Sequence, residues 1–394
     1  MQARVPGSLA GSVRHSPSNV LRCLTTSPKA FYIRSATVGS RPEIGNHPGL
    51  TSFENAEMSE TTYGAPASTM PEGAILADPI DADSARTLLN WGDHPASLIT
   101  GLEPTYKTSL GAAFIGDALD VLRAIPTASL NIVITSPPYA LHFKKEYGNV
   151  DKQGYVEWML PFAVEIKRIL KPDGSFVLNI GGSYNPGQPT RSLYHFKLLI
   201  ALCDRLGFHL AQECFWYNPA KLPAPAEWVN VRRARVKDSV EYVWWLAPSP
   251  WPSADNRRVL VPYSGDMVRL IARGFKSKKW PSGHNITPKF RKNQGGAIPA
   301  NLVIRGNNES NSDYIKACAD LGVKVHPARF PSALPEFFLN LLTNPGDVVL
   351  DPFAGSNTTG RVAESLDRRW IAVDLQDAYV RASAIRFGLN PHTL

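Results

Sequence analysis

Cysteine is scarce in this chain and follows no pattern. Cys23, Cys203, Cys214 and Cys318 are the only four in 394 residues, with no CxxC spacing and no Pro-Cys dipeptide. That scatter argues against a zinc site or a disulfide framework, so no metal is expected, and it fits a reducing compartment. Long apolar runs are missing too. None approaches the roughly 20 residues needed to span a bilayer, which argues against an integral membrane role. Acidic residues are absent from the first 42 positions, which carry six basic ones (Arg4, Arg14, Arg22, Lys29, Arg34, Arg41) among many serines. Such a segment fits a disordered basic tail, a start codon placed ahead of Met58 or Met70, or an organellar transit peptide.

What is present suits a folded protein that meets polyanions. The apolar fraction is 43% and the formal charge is +8, a balance that moderately favours nucleic acid as a partner. The length is enough for a full core and for two or three domains. Residues 43 to about 100 are rich in Pro, Gly, Ser and Thr, with one short helix expected near Ala82 to Trp91. Residues 1–104 therefore read as a largely disordered extension.

From Thr105 onward, strands and helices alternate. Strands are expected at Ala112–Ile115, Leu130–Ile134, Ser175–Ile180, Phe208–Tyr217 and Ser239–Leu246. Helices are expected at Ala118–Ile125, at Tyr155–Leu170 despite Pro161, and at Leu193–Leu206, which Gly207 closes. Lys171-Pro172-Asp173-Gly174 reads as a turn. The alternation predicts an α/β fold with a largely parallel sheet. It breaks down over 247–325. There, Arg257 to Lys292 holds ten basic residues (Arg257, Arg258, Arg269, Arg273, Lys276, Lys278, Lys279, Lys289, Arg291, Lys292) against one acid, Asp266. It resumes over 326–394 with a helix near Ser332–Leu342, a strand at Val348–Leu350, a helix from about Thr358 and a strand at Trp370–Val373. A basic insert thus separates residues 105–246 from 326–394, two pieces of one sheet.

Two strand ends carry the chemistry. The first strand end runs into Thr135-Ser136-Pro137-Pro138-Tyr139. Each proline fixes its own φ and biases the residue before it towards extended geometry, so this loop is stiff. It presents one hydroxyl, one free backbone carbonyl and one flat ring where open α/β sheets place ligands. That set suits an exocyclic amine held beside the ring that bears it. The second is Asp351-Pro352-Phe353-Ala354-Gly355-Ser356-Asn357-Thr358-Thr359-Gly360, a tight polar loop that opens a helix. Asp374 ends the next strand 23 residues after Asp351, close to the ~20-residue spacing at which a carboxylate meets ribose hydroxyls. The loop has no P-loop lysine and is not GxGxxG, so a nucleoside without phosphates fits it better than ATP or NAD.

Together these motifs resemble the β-class amino-methyltransferases of DNA. That family places the catalytic motif first, a target-recognition region second and the cofactor motif last. The resemblance covers about residues 105 to 390. It takes in Gly116-Asp117, Trp228-Val229-Asn230-Val231-Arg232-Arg233, Asp255-Asn256-Arg257-Arg258 and His326-Pro327-Ala328-Arg329-Phe330-Pro331. It implies a Rossmann-like S-adenosylmethionine-dependent methyltransferase sheet in circularly permuted order, with the target-recognition insert at 247–325. Ser136, where other relatives carry Asp, is similar to the cytosine-N4 branch. Asn357 departs from the pattern, since many relatives carry a second glycine there, but Asn tolerates left-handed backbone.

The resemblance implies roles residue by residue. Ser136 and the Pro137 carbonyl would hold the amine of a cytosine flipped from double-stranded DNA, Pro138 would stiffen the loop and Tyr139 would stack on the base. Asp351, Phe353, Ala354, Gly355, Ser356, Thr358 and Thr359 would surround the methionine part of S-adenosylmethionine, with Arg329 and Phe330 closing that end. Asp374 would take the ribose and Asp117 would sit by the adenine, although Gly-Asp also makes an ordinary helix N-cap. Arg232, Arg233, Arg257, Arg258, Lys276, Lys278 and Lys279 would contact DNA. A carbon-5 enzyme would need a cysteine nucleophile, which the missing Pro-Cys argues against. The rivals are an adenine-N6 enzyme on the same scaffold, a protein-glutamine or RNA methyltransferase, and a DNA-binding protein without catalysis. A cytoplasmic location and a partner restriction endonuclease are further expectations.

Overall fold

In a computed structural model of the chain, residues 92–140, 151–274, 292–307 and 312–394 are described. The expected helix near Ala82 to Trp91 and the whole basic segment 1–42 lie outside those residues.

One mixed sheet organises the molecule. Its strands are β1 (Tyr106–Lys107), β2 (Gly111–Ile115), β3 (Leu130–Thr135), β4 (Leu170–Ile180), β5 (His209–Tyr217), β6 (Val240–Ala247), β7 (Leu302–Ile304), β8 (Val348–Asp351) and β9 (Arg369–Asp374). They lie side by side in the order β1-β2-β9-β8-β3-β4-β6-β5-β7. The centre, β2-β9-β8-β3-β4, is parallel throughout. β6 runs antiparallel to both β4 and β5. β3 is buried along nearly its full length, as expected for a parallel strand covered on both faces.

The pleat sorts its side chains between two layers. Val133 joins α1 (Ala118–Ala124), α2 (Tyr155–Ile169) and α3 (Tyr194–Asp204) in one apolar cluster. Ile132 and Ile134 join the other cluster, with α6 (Ala333–Leu342), α7 (Thr358–Ser365) and α8 (Asp377–Ser383). The result is a three-layer α/β/α sandwich. Pro161 sits inside α2, where the helix continues around it and buries Met159, Phe162, Ala163 and Ile166. Gly111 is required by close approach, since a Cβ there would fall 2.0 Å from the Trp370 ring.

Two details differ from the sequence expectation. Lys171 to Gly174 belongs to β4 and forms an irregularity in it, because Leu130 pairs with Leu170 while Ile132 pairs with Ser175. The turn residues are present, but they bulge a strand instead of ending a helix-to-strand connection. The basic stretch is also less separate than its composition suggests. β7 pairs parallel with β5, Phe215 to Leu302, so this stretch supplies an edge strand of the same sheet. Two further helices, α4 (Gly265–Arg273) and α5 (Asp313–Asp320), flank β7 in sequence, and α4 buries none of its side chains.

Candidate active site

The parallel centre aligns the carboxyl ends of β2, β9, β8, β3 and β4 along one edge, and a cavity of about 510 Å³ opens there. Neighbouring strands β3 and β8, paired at Ile132–Val349, deliver the two motifs to it side by side.

Between those strands sits Asp351. It is buried, and it accepts hydrogen bonds from Thr135 Oγ1 at 2.7 Å, Thr359 Oγ1 at 2.7 Å and the Phe353 N–H at 3.1 Å. One carboxylate therefore ties β3, β8 and α7 together. Asp351 and Thr359 were expected to meet a ligand, but the structure places them behind the cavity wall, where they hold the loop in place. The sequence could not show this, because strand pairing decides which way the last side chain of β8 points.

Burial pushes the Asp351 carboxyl up from 3.8 to about 6, against the three hydrogen bonds that lower it. The folded chain therefore binds this proton more tightly than the unfolded one. The stability it contributes is present below about pH 4 and is lost as pH rises through about 6, by about 3 kcal/mol. Denaturant melts of Asp351→Asn should lack that fall, so the variant should compare better with the parent at pH 8 than at pH 4.5.

Ser136, Pro137, Pro138 and Tyr139 all line the cavity. The Ser136 hydroxyl lies 3.1 Å from the Tyr139 hydroxyl, which is also 3.1 Å from Asn179 Oδ1 and 2.8 Å from Glu241 Oε2. Desolvation and the Glu241 carboxylate push the Tyr139 phenol well above its ordinary value, so it keeps its proton. Lys221 Nζ is 2.9 Å from the other Glu241 oxygen. The Tyr139 ring rests on Gly181, where a Cβ would come within 2.5 Å of it. Gly181→Ala should displace the ring, since overpacking of this kind costs about 1–3 kcal/mol. The expected result is a lower turnover with unchanged cofactor affinity, measured by steady-state kinetics and ligand titration.

The second half of the cavity is lined by Asp117, Phe330, Phe353, Ala354, Gly355, Ser356, Thr358 and Asp374. Asp374 closes β9 and accepts the Gly355 N–H at 2.8 Å and the Gln376 N–H at 2.9 Å. Its position brings two successive sheet loops to one carboxylate. Asp117 caps α1 by accepting the Leu119 N–H at 2.8 Å, so the N-cap and the cavity wall are the same residue. Gly355 has φ +53° and Asn357 φ +52°. The expected tolerance of Asn at that turn is met, and its side chain also caps α7 by accepting the Gly360 N–H at 2.9 Å.

Several wall residues were not singled out from the sequence. Trp158 and Phe162, one turn apart on α2, pack against Phe353 with ring centroids 5.9 and 5.2 Å away; their helical spacing reads equally well as core. Asn179 and Glu241 are lone polar residues at the cavity ends of apolar strands, a signal that was available. Trp216 and Asn307 come from distant segments and carried none, whereas His326 opens the His326-to-Pro331 segment already quoted for the resemblance.

The DNA-directed arginines divide. Arg232 and Arg233 lie between β5 and β6, on the cavity edge of the sheet. Arg232 stacks 5.0 Å from the Trp228 ring and pairs with Glu227 at 2.6 Å, and Arg233 is exposed. Arg257 pairs with Asp255 at 2.8 Å. Arg258 donates to the carbonyls of Leu341 and Thr343 and to Asn344 Oδ1. Those carbonyls end α6 just before β8 begins, so Arg257 and Arg258 sit at the opposite edge from the cavity. Arg258 is a helix-capping residue there, which corrects the expected DNA contact. Lys276, Lys278 and Lys279 lie outside the described residues. Among the described residues, no helix is long and apolar enough to cross a membrane and no cluster suits a metal ion.

Comparisons with known proteins agree with this layout. A family model described as DNA methylase matches residues 130–385. The chain is 49% identical over 307 residues to the type II methyltransferase M.PvuII of Proteus hauseri, covering 77% of this chain and 89% of that protein. The solved structure titled PvuII DNA methyltransferase (cytosine-N4-specific) matches with a TM-score of 0.61 and 44% identity, over 74% of this chain and 93% of that one. The DNA adenine methyltransferase YhdJ of Escherichia coli (strain K12) is 24% identical over 302 residues, 74% of this chain and 88% of that protein. With the family model spanning the sheet from β3 onward and both motifs inside it, the chain belongs to the DNA methylase family.

Proposed function

We infer that the protein transfers a methyl group from S-adenosylmethionine to the N4 amine of a cytosine in double-stranded DNA. The observation that carries this reading is the meeting of the Ser136 loop and the Asp374–Gly355 loop in one cavity at adjacent strand ends. The close relationship to a protein titled cytosine-N4-specific supports it.

The cavity suits both reactants. A carboxylate at a strand end, an aromatic wall of Trp158, Phe162 and Phe353, and a glycine at positive φ together fit a phosphate-free ribonucleoside with an amino-acid tail. Asp374 would accept the ribose hydroxyls and Asp117 the adenine. Phe353, Ala354, Gly355, Ser356 and Thr358 would surround the methionine part, with Arg329 and Phe330 beyond. When bound, S-adenosylmethionine supplies a methyl group on a positively charged sulfur.

The protein's own residues would then act by position. The lone pair of a cytosine amine is delocalised into the ring. Hydrogen bonds from its two protons to the Ser136 hydroxyl and the Pro137 carbonyl orient the nitrogen and favour a pyramidal geometry, which frees the lone pair for in-line attack. Tyr139 would stack on the base, which must leave the duplex to reach the cavity. Arg232 and Arg233, on the cavity side, would meet phosphates and make affinity salt-sensitive.

The type II name of M.PvuII supports a pairing with a cognate restriction endonuclease, and such a pair would work beside cytoplasmic DNA. The test of the reaction is incubation of plasmid DNA with isotopically labelled S-adenosylmethionine, then nuclease digestion and mass spectrometry of the nucleosides. Label in N4-methylcytosine supports the reading, whereas label in N6-methyladenine rejects it.

A further inference from the structure

The Tyr139 phenol has a single proton, yet three polar side chains surround its oxygen. Glu241 Oε2 at 2.8 Å is a carboxylate oxygen, which only accepts. Asn179 spends its amide nitrogen on the Tyr242 carbonyl at 3.1 Å, so its oxygen faces the phenol and also only accepts. The phenol proton is therefore drawn to the Glu241–Asn179 side. That leaves the phenol oxygen to accept from its third neighbour, the Ser136 hydroxyl at 3.1 Å. A serine that donates to Tyr139 turns its lone pairs elsewhere. Lys221, with donors only, fixes the far oxygen of Glu241 at 2.9 Å and anchors the chain of bonds at its end.

We propose that Glu241, held by Lys221, is a positioning residue that sets the direction of these hydrogen bonds, so that the Ser136 hydroxyl accepts from the target amine. The proposal rests on Ser136 being the group that meets the amine. A hydroxyl free to rotate could equally point its own proton into the cavity, where it would oppose an amine N–H. The chain Ser136 to Tyr139 to Glu241 removes that choice. Successive donation towards a carboxylate also makes the Ser136 oxygen a stronger acceptor, because hydrogen bonds in series polarise one another. The amine becomes a better donor as positive charge develops on its nitrogen, so the effect falls on the transition state more than on binding.

The test is a mutant cycle read by kcat and KM. Glu241→Gln keeps the shape but offers an amide that can donate to the phenol, which permits the reversed chain. It should lower kcat by about tenfold to a hundredfold and leave KM for DNA and for S-adenosylmethionine unchanged. In a Tyr139→Phe background the relay is already broken, so adding Glu241→Gln should cost nothing more. Lys221→Gln, which keeps Glu241 but loosens it, should give a smaller loss of kcat that likewise vanishes with Tyr139→Phe. Wild-type kcat in Glu241→Gln would overturn the proposal, as would an undiminished loss in the Tyr139→Phe background. Ser136→Ala is the control: full activity there rejects the role of Ser136 itself, whereas an inactive Ser136→Ala beside a fully active Glu241→Gln rejects only the role of Glu241.

Discussion

Ser136→Ala is expected to lower methyl transfer to DNA by about 10²–10³-fold, the usual cost of deleting one group aimed at developing charge. The reason is geometric. Ser136 is the first residue beyond β3, and the proline pair behind it fixes the loop, so no neighbouring hydroxyl can replace it. The Tyr139 hydroxyl is 3.1 Å away but is committed to Asn179 and Glu241. The fold should be indifferent to the change, because the buried ties between β3 and β8 run through Thr135 and Asp351, one position earlier. Calorimetric titration with S-adenosylmethionine should therefore give an affinity close to that of the parent, and thermal melting should give the same midpoint. A large loss of cofactor affinity would place Ser136 on the other side of the cavity from the one assigned here.

The second large effect concerns the cofactor side. Asp374→Ala should weaken S-adenosylmethionine binding by about tenfold to a hundredfold, since a hydrogen bond to a charged group contributes about 1.5–3 kcal/mol. Two losses combine. The carboxylate is the proposed acceptor for ribose hydroxyls, and it also holds the Gly355 N–H at 2.8 Å, which sets the loop after β8. A ligand analogue separates them. If the hydroxyl contact dominates, a 2′,3′-dideoxyribose analogue should bind the parent about as weakly as S-adenosylmethionine binds the variant. If loop support dominates, the analogue should lose little with the parent. Turnover at saturating cofactor should stay within reach of the parent in either case, which distinguishes Asp374 from Ser136.

Much of this layout could be read in the sequence, for identifiable reasons. The runs at Leu130–Ile134, Ser175–Ile180 and Val348–Leu350 are short, apolar and bounded by turn residues, so the parallel centre of the sheet declared itself locally. The two motifs declared themselves by composition, since Pro137-Pro138 and Gly355 have few uses at a strand end other than shaping a loop. What stayed hidden depended on partners far along the chain. Asp351 looks like a ligand contact in its motif, yet Thr135, 216 positions earlier, claims it from behind. Arg258 looks like one of many DNA-directed cations, yet the end of α6 uses it as a cap. Glu241 stands out locally as the one charged residue of an apolar strand, yet its partner stayed hidden, because only the antiparallel pairing of β6 with β4 brings it to Tyr139. Lys171 to Gly174 has turn chemistry, but the adjacent β3 recruits it into a bulged strand.

Base-resolved mapping of plasmid DNA methylated by the purified protein tests the central claim most directly. N4-methylcytosine is expected, confined to one recurring sequence context and absent when Ser136→Ala replaces the parent. N6-methyladenine at the modified positions, or N4-methylcytosine deposited equally well by Ser136→Ala, would contradict it.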